Sequence, residues 1–299
     1  APKFDLPQFL ELHQKHNIDF SFIAPPIAVA LAKHPIVDNY DLSALKNIQS
    51  GAAPLSRELA DAVEKRLNVH VVQGFGMTEA SPVTHNSIWG VTPIESIGAS
   101  VANTECKVVD LAQPDLPEIL PPSQGDLRSA AGEMWVRGPQ VMVGYLNNEE
   151  ATRNTLTEDG WLRTGDVGSV TKDGFLTVED RARDVIRSGG EWIYSVQLEN
   201  LIMSDPLVVE AAVIGYPDKQ WVERPLAVTV LAEGASPTIE TAERLRASMR
   251  KELPSWMLPE YWTFVKSIDK TSVGKFDKKD LRTHLAEGEY NIIRLKGPG

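Results

Sequence analysis

Cysteine is nearly absent from this 299-residue sequence: Cys106 stands alone, so no intramolecular disulfide forms and a CxxC-type zinc or iron–sulfur site is excluded. Basic charge is also short. The 30 Lys and Arg stand against 41 Asp and Glu, a formal net charge of −11, whereas nucleic acids and anionic membranes call for a basic footprint. No apolar run reaches the roughly 18–20 residues of a membrane span. The opening residues, Ala1-Pro-Lys-Phe-Asp-Leu-Pro7, lack the charged-then-apolar layout of a signal peptide. The six histidines, His70 and His85 among them, are scattered, which suits core or solvent-facing roles rather than a ligand set. These absences point to a soluble protein acting on small molecules in a reducing cytoplasm. A peroxisome is the alternative in a eukaryote, although the C-terminus is not of the Ser-Lys-Leu type. The N-terminus lacks Met and enters a helical pattern at once (Phe4, Phe9, Leu10, Leu12), so the chain is expected to be a fragment.

What is present reads as α/β. The 42% hydrophobic content supplies two unequal cores. Asp5 caps a helix to about His16 with Pro7 in its first turn, a strand follows at 20–24, and Pro25-Pro26 opens a helix toward His34. A short strand at 45–49 precedes a helix capped by Ser56, with Leu59, Ala62, Val63 and Leu67 on its inner face. The strand at 69–73 leads into the segment Gly74–Glu79, which reads as a glycine-punctuated turn. Residues 113–132, rich in proline, read as a surface loop, and short strands at 134–137, 166–171 and 175–178 suggest a small β-rich subdomain. Beyond Arg183 come strands at 185–186, 208–214, 226–231 and 261–265. They alternate with helices at 196–203, from Ser236-Pro237 to about Glu252, and from Lys278 onward, a compact α+β unit. The expected organisation is therefore the C-terminal part of a large α/β domain, residues 1–182, followed by a small α+β domain, residues 183–299.

Several segments carry candidate chemistry. Gln73-Gly-Phe-Gly-Met-Thr-Glu79 offers backbone N–H groups, a hydroxyl and a carboxylate within a few residues, enough for a phosphate and a divalent cation. An ordinary strand–turn explains the same residues about as well. Ser50-Gly-Ala-Ala-Pro54 keeps side chains small, as a flat ring lying on a backbone requires, or as close helix–strand packing requires. Asp166 in Trp161-Leu-Arg-Thr-Gly-Asp166 either receives hydroxyls or caps a turn. Asp180–Gly190 gathers three arginines, two acids and a Gly-Gly turn at the domain junction. Lys270-Thr-Ser-Val-Gly-Lys275 is a Gly-containing loop before the last helix; Asp269 stands where a Walker loop needs its first Gly.

In order and spacing these segments resemble the adenylate-forming superfamily of acyl-CoA synthetases, 4-coumarate-type aryl-CoA ligases and luciferases. The resemblance extends through Gly132–Pro139, with Gly144-Tyr145, and covers the chain from Phe4 to Leu281. It implies an ATP-dependent acid–thiol ligase that makes an acyl-adenylate and then a coenzyme A thioester, with a carboxylic acid, ATP and CoA as partners and Mg²⁺ as cofactor. By resemblance Lys275, Thr78 and Glu79 are catalytic. Thr78 contacts the AMP phosphate, Glu79 holds Mg²⁺, and Lys275 bridges the carboxylate and the α-phosphate, offsetting charge on phosphorus. Gly51, Ala52, Ala53, Gln73, Gly74, Phe75, Gly76, Met77, Asp166, Arg181, Arg187 and Trp192 are the implied cofactor-binding positions, Asp166 taking the ribose hydroxyls with help from Arg181. Arg183 matches the hinge, and Ser188, Gly189 and Gly190 the face that admits the CoA arm. Gly74, Phe75, Pro82 and Val83 line the acid pocket. Two departures stand out. The family's upstream phosphate-binding loop lies outside the sequence. Residues 1–110 resemble aryl-CoA ligases, while Ser188–Ile193 and Trp221–Pro225 resemble fatty-acyl-CoA ligases. The competing readings are a catalytically silent nucleotide- and CoA-binding fragment and an adenylation domain that loads a carrier protein.

Overall fold

Local signals start the first helices at the expected positions. The structure is a computed structural model that describes residues 4–81, 83–113, 115–123, 128–270 and 276–296. In it Asp5 accepts a hydrogen bond from Gln8 N at 2.8 Å and Pro7 occupies the first turn of α1 (Leu6–His16), which ends on Asn17 in the left-handed region. The chain then forms β1 (Phe20–Ile23), α2 (Pro25–Lys33), β2 (Asn47–Ser50), α3 (Arg57–Leu67) and β3 (His70–Gly76). Strands β1, β2 and β3 pair in parallel, and α1–α3 supply the core against one face, with Leu10, Ile23, Leu31, Ile48, Val63 and Val71 buried together. Alternation along β1 turns Phe20 and Phe22 the other way, and Phe22 is 72% exposed. On α3 the buried partner of Val63 is Ala60, whereas Ala62 is exposed. Three residues return to the same helix face, and one residue turns away from it.

The sheet continues through β4 (Val83–Asn86) and β5 (Ala99–Ser100), which pair antiparallel. His85 on β4 is fully buried, with Nδ1 2.9 Å from Thr84 Oγ1 and Nε2 3.2 Å from Ser100 Oγ. Burial pushes its pKa down to about 4, because a charged imidazole loses its hydration there.

A second, antiparallel sheet is built from β6 (Glu105–Val109), β7 (Glu118–Ile119), β8 (Gly132–Arg137), β9 (Leu162–Val170) and β10 (Leu176–Arg181), in the order β10-β9-β8-β6-β7; α4 (Glu149–Thr155) precedes β9. The stretch 113–132, expected as loop, thus contributes the two-residue strand β7. Part of this sheet is covered by cations lying on tryptophans. Lys107 Nζ sits 5.0 Å from the Trp135 ring and 4.3 Å from the Trp161 ring, with Arg163 over the first and Arg137 over the second.

The chain divides into two compact units, 1–178 and 179–299, so residues 179–182 join the second. That unit comprises β11 (Ile186–Ser188), β12 (Glu191–Ile193), α5 (Ser195–Met203), β13 (Val208–Asp218), β14 (Val222–Leu231), α6 (Ile239–Met249), β15 (Tyr261–Phe264), α7 (Lys278–Ala286) and β16 (Ile293–Arg294). Its six strands form one sheet in which β14 pairs β13, β11 and β15. Helix α6 begins two residues later than expected. Thr238, not Ser236, is its cap, accepting from Thr241 N, and Pro237 therefore precedes the helix.

The β13–β14 hairpin closes on Lys219-Gln220-Trp221, with Asp218 Oδ1 accepting from Gln220 N and Trp221 N at 2.9 Å each. The next residue, Val222, has φ 70°. Glycine favours this region, because the left-handed conformation costs other residues roughly 1–2 kcal/mol.

Two predictions follow from these strained and buried groups. Val222→Gly should raise stability by about 0.5–1 kcal/mol, the relief of strain less the entropy of an added glycine; a lower urea midpoint would show that the hairpin carries no such strain. For His85 the folded pKa lies below the unfolded value of 6.5, so stability is full above pH 6.5 and is lost as pH falls toward 4. The shift is worth about 3 kcal/mol. His85→Gln should therefore lose about that much less than the parent between pH 7 and pH 4 in denaturant titrations, and identical losses would rule the imidazole out.

Candidate active site

The carboxyl ends of β2 and β3 lie side by side, with Ser50 opposite Gln73, and such strand ends are where α/β sheets collect ligands. Gly51 N donates to Ile23 O at 3.0 Å, extending the β1–β2 pairing by one residue. A Cβ on Gly51 would stand 3.6 Å from Gly74 O, ordinary contact distance, so the two glycines are neighbours. Ala52 follows with φ 70° and is exposed, and Ala53 is half-buried.

Gln73 is 3% exposed, and its carboxamide is fully engaged with backbone: Oε1 accepts from Leu55 N at 2.9 Å, while Nε2 donates to Leu55 O and Ile94 O. The segment after it is not the expected turn. Strand β3 runs on to Gly76, exchanging its parallel partner β2 for antiparallel β4, with a bulge between Phe75 and Gly76. Gly74 serves this exchange. A Cβ there would lie 2.1 Å from Gln49 Nε2, which passes over the glycine to donate to Asn86 Oδ1 at 2.7 Å. Phe75 is half-buried, opposite His85 with ring centroids 6.0 Å apart. Val83 is 36% exposed; Pro82 lies outside the described residues.

The turn comes at a 3-10 turn over Thr78–Ala80, with Thr78 exposed and Glu79 half-buried. Met77 and Ala80 pack with Val136 of β8 and Leu162 of β9, which brings this turn against the second sheet. Glu79 Oε1 accepts from Tyr145 Oη at 2.8 Å, and Glu79 O accepts from Met142 N at 2.8 Å. Asp166, 4% exposed, lies inside β9 rather than after a tight turn. The neighbouring Gly165 has φ 70° where the β8–β9 register slips, and its N–H donates to Glu133 Oε1 at 2.9 Å. The expected turn is thus a bulge within a strand.

In the second unit Ser188-Gly-Gly-Glu191 closes the β11–β12 hairpin with φ 63° and 92° at Gly189 and Gly190, a two-residue turn that only left-handed residues make. Ser188 is buried and its Oγ accepts from Arg224 Nη1 at 2.9 Å. Arg187 is exposed and pairs across the hairpin with half-buried Trp192; its N–H donates to Glu223 Oε2 at 3.0 Å. Arg181 ends β10. Arg183 is exposed, and its carbonyl accepts from Arg282 Nη2, which also reaches Asp184 Oδ1 at 2.6 Å. Lys275 lies outside the described residues.

Sequence reasoning missed a buried ionic cluster in this unit. Asp180 Oδ2 accepts from both the N–H and the hydroxyl of Ser195. Lys278 Nζ reaches Ser195 Oγ at 2.6 Å and Glu199 Oε1 at 2.7 Å, and Val213 N donates to the same carboxylate. Burial pushes Glu199 up to about 7 against the pull of Lys278. Burial also opposes the Lys278 charge, yet Glu199 and Asp180 outweigh it and its pKa is raised, so the ammonium stays charged. The available signal was a glutamate between Leu198 and Ile202 on an apolar helix face. Among the described residues no three His, Cys, Asp or Glu cluster as a metal site, and no helix is long and apolar enough to cross a membrane.

The pattern of the AMP-binding enzyme family matches residues 1–146, and that of the AMP-binding enzyme C-terminal domain matches residues 197–275. A 4-coumarate–CoA ligase of Solanum tuberosum is 39% identical over 97% of this chain and 52% of its own length; the chain spans about half the length of most curated relatives it matches. A Glycine max 4-coumarate–CoA ligase, 36% identical, is covered over 96% of its length. Among solved structures, the amide bond synthetase McbA of Marinactinospora thermotolerans superposes with TM-score 0.78 at 33% identity, over 95% of this chain and 55% of that one. The o-succinylbenzoate CoA synthetase of Bacillus subtilis, in complex with its acyl-adenylate intermediate, superposes with TM-score 0.79 at 26% identity, over 99% and 55%. With both patterns matched in order and a ligase relative covered almost end to end, the chain belongs to the AMP-binding enzyme family.

Proposed function

We propose that this chain forms the acyl-adenylate-handling part of an ATP-dependent ligase that activates an aromatic carboxylic acid and passes it to the thiol of coenzyme A. The carrying observation is the junction of the β2 and β3 carboxyl ends, where Ser50 stands opposite Gln73 and Gly51 lies beside Gly74, with Ala52 and Ala53 following, a surface of small residues. That flat surface suits an adenine ring, and the turn beyond it sets the Thr78 hydroxyl and the Glu79 carboxylate one residue apart. Glu79 would be the protein's share of a Mg²⁺ shell, for which one carboxylate suffices when phosphate oxygens and water supply the rest. The names of the 4-coumarate ligase relatives support the aromatic acid, as does Phe75 in the expected acid pocket.

In the first half-reaction a carboxylate oxygen of the acid attacks the α-phosphorus of ATP. The new acyl–oxygen–phosphorus linkage forms as the bond to pyrophosphate breaks. Lys275 neutralises charge that builds on the phosphorus, and Asp166 holds the ribose. In the second, the CoA thiolate attacks the acyl carbon and AMP leaves. The open Gly189-Gly190 hairpin is the backbone surface along which the thiol arm passes, and Arg183 is the pivot that exchanges this surface for Lys275.

Asp166→Ala should weaken AMP binding to the chain roughly tenfold or more, since a hydrogen bond to an ionised acceptor is worth about 1.5–3 kcal/mol. Calorimetry that finds unchanged affinity together with a lower melting temperature would assign Asp166 to the bulge alone. Lys275→Ala should cut acid-dependent ATP–pyrophosphate exchange roughly a hundredfold or more while sparing thioester formation from pre-made acyl-AMP. Equal losses would show one role in both steps. A parent chain that binds AMP without any exchange would support a silent binding fragment instead.

A further inference from the structure

Tyr145 is tied to Glu79 by contacts that folding of its own loop does not explain. Its phenol donates to Glu79 Oε1 at 2.8 Å, while the flanking Val143 and Leu146 are fully exposed and 91% exposed. Val141 and Met142 anchor the loop on the cluster of Ala80, Val136 and Leu162, and beyond that anchor only the tyrosine reaches back, to the carboxylate. The backbone is shaped for it too. Gly144 has φ 150°, a Cβ there would lie 2.9 Å from Thr152 Cγ2, and Tyr145 N donates to Thr152 Oγ1 at 2.9 Å. Met142 N, from the same loop, holds the Glu79 carbonyl. The Glu79 residue is thus gripped at both its backbone and its side chain by residues 142–145.

We infer that Tyr145 is a positioning residue that orients the Glu79 carboxylate toward a divalent cation accompanying the bound nucleotide. The inference rests on the metal role proposed for Glu79 above. The phenol holds Oε1, which fixes the carboxylate's rotation and leaves Oε2 as the oxygen that would face a cation. Partners of this kind commonly contribute 10- to 100-fold to metal affinity or activity when they orient a ligand. Between a phenol and a carboxylate the phenol is the donor, so the bond runs from Tyr145 to Glu79.

The test uses Tyr145→Phe, which removes only the hydroxyl, in the 299-residue chain. ATP binding is titrated with Mg²⁺, AMP binding is measured without metal, and melting temperature is recorded for each. The expected result is a roughly 10- to 100-fold rise in the Mg²⁺ needed for half-maximal ATP binding, with metal-free AMP affinity and melting temperature unchanged. Parental Mg²⁺ dependence overturns the inference, as does a joint fall of AMP affinity and melting temperature, which would mark a merely structural contact. If the parent chain binds no nucleotide, the proposed function fails first. The contact is then read separately by NMR of tyrosine labelled at Cζ. At neutral pH the Tyr145 resonance should shift in Glu79→Gln, which removes the charged acceptor; a Tyr145 resonance indifferent to that substitution overturns the inference on its own.

Discussion

The buried carboxamide of Gln73 is the contact on which the rest of the first unit depends. A buried amide that lost its partners would cost about 1–3 kcal/mol for each unsatisfied group, and here it finds them in Leu55 and Ile94, on two separate connections. One side chain therefore fixes how the chain leaves the small-residue segment 51–54, where α3 begins, and how the loop before β5 returns. The same fixation sets Ser50 opposite Gln73, where the β2 side continues through Gly51, Ala52 and Ala53, none larger than alanine.

The second unit is specified differently. Its sheet is packed on both faces by apolar clusters, and the Asp180, Ser195, Glu199 and Lys278 groups sit within it as a charged insertion. Burying such a pair gains little net stability, since desolvation offsets most of the attraction. Removing one partner strands the others. The cluster therefore acts as a locating pin, joining the start of α5 and the start of α7 to the segment that carries Arg181 and Arg183.

Features encoded within a few residues were legible in the sequence, and those that need a distant partner were not. Asp5 with Pro7, and Ser56 ahead of an amphipathic turn, announce helices through local hydrogen bonds, and both caps are present. The parallel strands show as short apolar runs. By contrast, the bulge at Gly165 arises from the register between β8 and β9, so Asp166 reads as following a turn when only the local residues are seen. The role of Gly74 is likewise set from outside, by Gln49 and Asn86 on neighbouring strands. Tyr145 and Glu79 are 66 residues apart in the chain, and no local pattern joins them.

The two hairpin turns of the second unit meet at a single point. The Trp221 ring lies where any side chain on Gly189 would go, 2.6 Å from the position of its Cβ, and Gly189 N donates to Trp221 O at 2.9 Å. The two positions are therefore one evolutionary character rather than two. A lineage that enlarges residue 189, to the asparagine that its left-handed backbone tolerates, must move or shrink the side chain at 221. Among descendants of this chain the pair should change hands together, while Gly190, which faces open space, is limited only by its own backbone.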